Sequence, residues 1–303
     1  MAVTTIDLGE RSSKSFYPYT PKIWVPILWA VSFFLALGFE IYWVVSAERT
    51  FKYDVGYKHR RRYIGIMMPL MIGVLLEAIC YTARAISAYN PEAEMPFAIE
   101  MAMLFVAPMF IVSTIYMCSI ETIRSLKAEK YSVIPVGYLT KIFVLGDPLS
   151  FILQSSGGGI SVNDSVDLGK KLIVIGLFIQ IAFYGCFIIS MALFAYRINS
   201  SPTEVSSSLQ HTRPSFGNWK HGLAVLLTSL VLILIRTIYR AVDFMQVADG
   251  YLQSHEVFLF TFESTSVLLA VILLETNNFT RFFCSAKAED SDVHNQIYGK
   301  RTV

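Results

Sequence analysis

Ten ionisable side chains, Glu77, Arg84, Glu100, Lys141, Asp147, Arg236, Arg240, Asp243, Glu256 and Glu263, lie in stretches that are otherwise apolar. A charge at bilayer depth costs at least about 2.5 kcal/mol, so such groups must face one another or water. Their spacing allows this. Residues at i, i+4 and i+7 share one helix face. Arg236, Arg240 and Asp243 follow that pattern, as do Glu77, Tyr81 and Arg84. Asp147 and Gln154 are seven apart, and so are Glu256 and Glu263. Each pattern is a single polar stripe on an apolar helix. Six acids against four bases leave an excess of two negative charges, suited to a cation. Two readings stand. The arginine–carboxylate pairs act as interhelical glue, with Glu77–Arg84 and Arg236–Asp147 neutralising each other. Alternatively, they line a polar cavity that takes a guest, with Asp147 and Glu263 as possible mid-membrane proton carriers.

Other chemistries find no support. The five histidines, His59, His211, His221, His255 and His294, never pair at i, i+4 and none lies deep in an apolar run. A buried haem or zinc site needs such a set. There is no G-x-x-x-x-G-K-[ST] loop and no G-x-S-x-G elbow. We expect no catalysis, no metal and no cofactor. Cys80, Cys118 and Cys186 lie in apolar runs and Cys284 just past the last one, so no external disulfide is expected.

The elements that position these residues are helices. Hydrophobic residues make up 54% of the 303 positions and charged residues only 16%, against about 25% in soluble domains. The net charge of +2 is too small for a nucleic-acid-binding footprint. A bilayer span takes about 20 apolar residues. We read seven, at Ile23–Val45, Tyr63–Ala88, Pro96–Ile120, Ile134–Ser156, Leu172–Tyr196, Leu223–Phe244 and Val257–Leu274. Gly157-Gly158-Gly159 reads as the exit from the fourth, and Ser200–Ser208 as a polar loop. Sixteen loop and tail lysines and arginines fall on one side and five on the other. The positive-inside rule then places the N-terminus outside and the C-terminus in the cytoplasm. The expected fold is an all-α polytopic membrane protein with seven transmembrane helices. It comprises an extracellular segment 1–21, a membrane domain 22–276 and a cytoplasmic tail 277–303. Asn163 in Asn163-Asp164-Ser165 is then an external glycosylation candidate. The basic run Lys58–Arg62 faces anionic inner-leaflet lipid.

Several of these segments resemble a known family. Ile142-Phe143-Val144-Leu145-Gly146-Asp147-Pro148-Leu149-Ser150, with Gln154 and Gly157-Gly158-Gly159, resembles a signature of the RTA-like fungal lipid-translocating exporters. Leu234-Ile235-Arg236-Thr237-Ile238-Tyr239-Arg240, then Asp243, Gly250 and Glu256, resembles a second. Glu77, Tyr81 and Arg84 match the second-span pattern, Ala107-Pro108 with Tyr116-Met117 the third, and Gly176 with Gln180 the fifth. The resemblance runs from about residue 60 to 275. Asp243 stands where the family usually has Glu, and Glu263 where it usually has Asp. Glu275-Thr276-Asn277-Asn278 replaces the usual closing His-Pro-Gly.

The resemblance implies a seven-span plasma-membrane protein that moves sphingoid long-chain bases and gives resistance to toxic amphiphiles. Its substrate residues would be Glu77, Tyr81, Arg84, Glu100, Asp147, Gln154, Arg236, Tyr239, Arg240, Asp243, Glu256 and Glu263. Glu77, Asp147 and Glu263 would meet an ammonium headgroup, while Arg84, Arg236 and Arg240 hold the carboxylates. A rival reading is a seven-helix receptor or regulator that senses lipids. Against the commonest receptor type, Glu121-Thr122-Ile123-Arg124 is not a D-R-Y-like triplet, and no N-P-x-x-Y closes the last span.

Overall fold

The computed structural model describes residues 23–50, 57–90, 93–163, 166–201, 219–246 and 260–277, with Phe279 and Phe283. The N-terminal segment 1–21, most of Ser200–Ser208, Glu256, Cys284 and the charged tail lie outside the described residues. Among the described residues seven long helices follow one another: α1 (Trp24–Thr50), α2 (Tyr57–Tyr89), α3 (Glu94–Ser125), α4 (Val136–Asn163), α5 (Val166–Ser200), α6 (Trp219–Met245) and α7. The last begins as a π-helical turn, Phe260–Ser264, and continues as an α-helix, Thr265–Thr276. No strand occurs among the described residues. The first six helices are long and apolar enough to cross a bilayer.

Each helix packs on its neighbours in sequence, and α1 also touches α7, which closes a ring. Within the ring α3 meets α6. The core is apolar, built on residues such as Phe33, Ile111, Ile115, Phe187 and Leu230. Leu35, Leu145, Ile152 and Ile189 point outward, as lipid-facing side chains must.

Local chemistry explains the helix ends and joints. Helix α3 closes in a Schellman motif: Lys127 N–H donates to Arg124 O and Ala128 N–H to Ile123 O. Lys127 holds the left-handed conformation this requires, at φ 49°. A short 3₁₀ turn, Glu129–Tyr131, leads towards α4. Pro69, Pro108 and Pro148 lie inside α2, α3 and α4. Each lacks an N–H and so frees the carbonyl four residues earlier.

Two sequence expectations change here. Helix α4 continues past the glycines to Asn163, so Gly157-Gly158-Gly159 is not a helix exit. A Cβ on Gly157 would lie 2.6 Å from Gly169 O, and one on Gly176 would lie 2.9 Å from Ser150 O. The missing side chains let α4 and α5 touch backbone to backbone, as small residues do between membrane helices. Because α5 starts at Val166, Lys170 and Lys171 lie in its first turns and not in a loop. Asn163 is the last residue of α4.

The basic helix ends gather at one end of the bundle. Arg62 donates to Glu121 at 2.7 Å, and Arg124 lies 3.9 Å from the same carboxylate. Lys220 donates to Asn199 at 2.7 Å, and Arg197 to Tyr131 O at 3.5 Å. Of the run Lys58–Arg62, the side chains of Arg61 and Arg62 are described, and both are exposed.

Candidate functional site

The site is built on α2, α3, α6 and α7. Arg240 on α6 donates through Nε to Glu263 Oε1 on α7 at 2.6 Å. Arg236, one turn earlier, donates through Nη2 to the same oxygen at 2.9 Å. All three residues are buried. Arg236 Nη2 also donates to Leu104 O on α3. That is the carbonyl which Pro108, four residues on, leaves without its helical donor. A proline in the third helix thus prepares an acceptor for an arginine of the sixth.

Arg84 of α2 pairs with Glu100 of α3, both buried. The Arg84 guanidinium sits 5.1 Å from the centre of the Phe260 ring, and Arg240 sits 5.6 Å from that of Phe105. Such cation–π contacts gain strength away from water. Tyr81 shares a 2.5 Å hydrogen bond with Ser264, joining α2 to α7, and stacks on Phe33 of α1. Glu77 is buried within electrostatic reach of Arg236, Arg240 and Glu263, and its Oε1 has no hydrogen-bond partner. Asp243 is half-buried, 4.0 Å from Arg240.

Helices α4 and α5 add a second polar patch. Gln154 donates to Gln180 at 3.2 Å, and Gln180 to the Tyr184 hydroxyl at 2.6 Å. Asp147 is buried with both oxygens unpartnered, within electrostatic reach of Tyr116 and Tyr184. Tyr184 also feels Arg236. Tyr116 packs on Phe143 and Phe187, giving this side an aromatic wall.

The pairing differs from the sequence expectation. Arg84 bonds Glu100, not Glu77, and Arg236 bonds Glu263, not Asp147. Lys141 is exposed in the first turns of α4 and lies outside the cluster. Tyr239 is buried and stacks on Phe262 at 5.6 Å. Glu256 lies outside the described residues, and the Asn163 side chain is not described. Among the described members three arginines face five carboxylates, so the acidic excess of two persists. Helical phase did not reach Ser264, Phe105, Phe260, Tyr184 or the Leu104 carbonyl. Pro108 was the available signal for the last.

A family model described as RTA1 like protein matches residues 70–286, which include every described ionisable residue of this network. The chain belongs to the RTA1-like family. It is a multi-pass membrane protein of that family. It is 35% identical to Protein RTA1 of Saccharomyces cerevisiae over 269 residues, 85% of this chain and 82% of that one. It is 35% identical to Protoporphyrin uptake protein 1 of the same yeast over 213 residues, 70% of this chain and 68% of that one. It is 26% identical to Sphingoid long-chain base transporter RSB1 of that species over 232 residues, 66% of this chain and 60% of that one. No solved structure matches this RTA1-like chain.

Proposed function

We propose that the protein is a lipid translocator that moves cationic amphiphiles, such as sphingoid long-chain bases, across the plasma membrane. It has its N-terminus outside and its C-terminus in the cytoplasm. The segments 1–21, 22–276 and 277–303 are then outer segment, membrane domain and tail. It carries out no catalysis. Membrane-lipid transport is supported by the family and by the name of the sphingoid-base relative.

The observation that carries the finer reading is which buried polar groups lack a partner. Every arginine of the cluster already has a carboxylate. The site's carboxylates with unpartnered buried oxygens are Asp147 above all, then Glu77 and Glu263, beside the unpartnered hydroxyls of Tyr116 and Ser119 and one unpartnered N–H group each on Arg236 (Nε) and Arg240 (Nη2). Burying a charge without a partner is costly, so these acids favour a guest that brings a positive charge and N–H donors. The protoporphyrin relative argues for an amphiphile of another charge. A porphyrin with carboxylate groups would meet like charge at Asp147, so the ammonium class fits better here. Glu77, Asp147 and Glu263 are the headgroup partners, and Arg84, Arg236 and Arg240 fix the carboxylates.

Asp147→Asn is expected to abolish protection of cells against a toxic long-chain base with surface expression unchanged. Full protection by that variant would sink the assignment. Purified protein in liposomes with a labelled sphingoid base, with and without a pH gradient, separates a mover from a sensor and driven from passive transfer.

A further inference from the structure

An acidic pocket lies away from this cluster, and the functional reading above does not use it. It is walled by Glu40, Trp43 and Val44 of α1, by Met67 and Leu70 of α2, and by the end of α7 at Leu274 and Glu275 with Phe279 beyond. Its volume is about 30 Å³. That is room for a group the size of one or two waters. Glu40 is 4% exposed and Glu275 8%. Both Glu40 oxygens and Oε1 of Glu275 have no hydrogen-bond partner. Among the described residues no lysine or arginine lines the pocket. This is the reverse of the central cluster, where each arginine is matched to an acid. Glu275 lies twelve residues beyond Glu263 on one helix, about 18 Å along its axis. The pocket is therefore a separate place, towards the end of the bundle where Arg62, Arg124 and Lys220 collect.

We propose that this pocket is a second binding station for the primary ammonium group of a long-chain amine. The inference rests on the reading of this chain as a carrier of cationic amphiphiles, and adds where the headgroup stops. Three facts select that ligand. A primary ammonium has three N–H donors, and three unpartnered carboxylate oxygens face the pocket. The Trp43 and Phe279 rings suit a cation's approach to an aromatic face. A bare metal ion is poorly served, since calcium takes six to eight oxygen ligands. No group of three or more His, Cys, Asp or Glu fit for a metal occurs among the described residues. The cavity holds a headgroup but no alkyl chain, which leaves past the apolar walls of Val44, Met67, Leu70 and Leu274.

The test uses the full purified chain in phosphatidylcholine nanodiscs, with radiolabelled dodecylamine as the probe. Wild type is expected to bind two equivalents per chain. Trp43 reports on one, read as the fluorescence change that Trp43→Phe lacks. Glu40→Gln with Glu275→Gln binds one equivalent and loses the Trp43 signal. Its surviving equivalent shows that the variant is folded. Glu40→Asp, one methylene shorter, weakens the Trp43-reported station at least tenfold. Dodecyltrimethylammonium, which has no N–H, binds there at least tenfold more weakly than the primary amine. Two equivalents in the double variant, or a Trp43 signal raised equally by sodium chloride, would overturn the proposal. A single wild-type equivalent that vanishes in Asp147→Asn, without a Trp43 signal, removes this pocket and leaves the transport reading standing. A single equivalent with the Trp43 signal, indifferent to Asp147→Asn, supports the pocket and removes the assigned role of Asp147.

Discussion

Asp147 and Glu263 are both buried carboxylates, but their surroundings oppose each other. Two guanidiniums converge on Glu263, whereas neither oxygen of Asp147 has a partner. Breaking a buried ion pair costs about 3–5 kcal/mol, because the remaining partner is left uncompensated. Glu263→Gln is therefore expected to destabilise the protein by about that amount, seen as a lower melting temperature in detergent. Asp147→Asn replaces a buried carboxyl that has no hydrogen-bond partner, and its melting temperature should equal or exceed that of wild type. A large loss of stability in Asp147→Asn would mean that the carboxylate is structural glue and not a place kept for a guest. Side-chain periodicity made the stripes on α2 and α6 legible in the sequence, including Arg236, Arg240, Glu77 and Arg84. It did not make the partners legible. Which acid meets which arginine depends on how neighbouring helices are rotated and staggered, and one chain's periodicity carries neither quantity.

Glycine and proline set how the helices meet. The three consecutive glycines of α4 look like a helix end because glycine lowers helix propensity by about 1 kcal/mol against alanine. Only the first is needed for packing. A Cβ on Gly157 would meet Gly169 O at 2.6 Å and Ile173 at 2.8 Å, while Gly158 and Gly159 have nothing within 4 Å. Gly157→Ala is expected to cost about 1–3 kcal/mol by overpacking the α4–α5 seam. Gly158→Ala and Gly159→Ala should be neutral, or stabilising by up to about 1 kcal/mol. Thermal unfolding of the three variants separates these outcomes. The sequence could not rank the three glycines, since their difference lies entirely in the neighbouring helix. The π-helical turn at Phe260–Ser264 was illegible for another reason. Its Thr265 hydroxyl donates to Phe260 O five residues back, a register that apolar periodicity does not encode. Such turns recur at functional sites, and here the turn carries Glu263 to Arg236 and Arg240, Ser264 to Tyr81 and Phe260 to Arg84.

Across the whole molecule, the number of helices and their apolar character followed from composition and run length. The boundaries between α4 and α5 did not, because polar residues such as Asp167 and Lys170 continue a helix as readily as they make a loop. The common placement of Arg62, Arg124, Arg197 and Lys220 at one end agrees with the loop-charge bias that led us to place that end in the cytoplasm. An epitope at the N-terminus should therefore be stained on intact cells, and one at the C-terminus only after permeabilisation. The opposite pattern would overturn the proposed orientation. Glu40 and Glu275 escaped the periodicity argument because neither has an ionisable residue four or seven positions away, and only the ring closure between α1 and α7 sets them side by side.

The second oxygen of Glu263 has no partner, although its first holds two guanidiniums. An incoming donor finds a vacant acceptor on a carboxylate that is already immobilised. On the proposed reading its arrival would sever neither of the guanidinium bonds to Glu263. Selectivity would then rest on how well a visitor's donors match that one oxygen, and the barrier to transfer on the visitor shedding its own water.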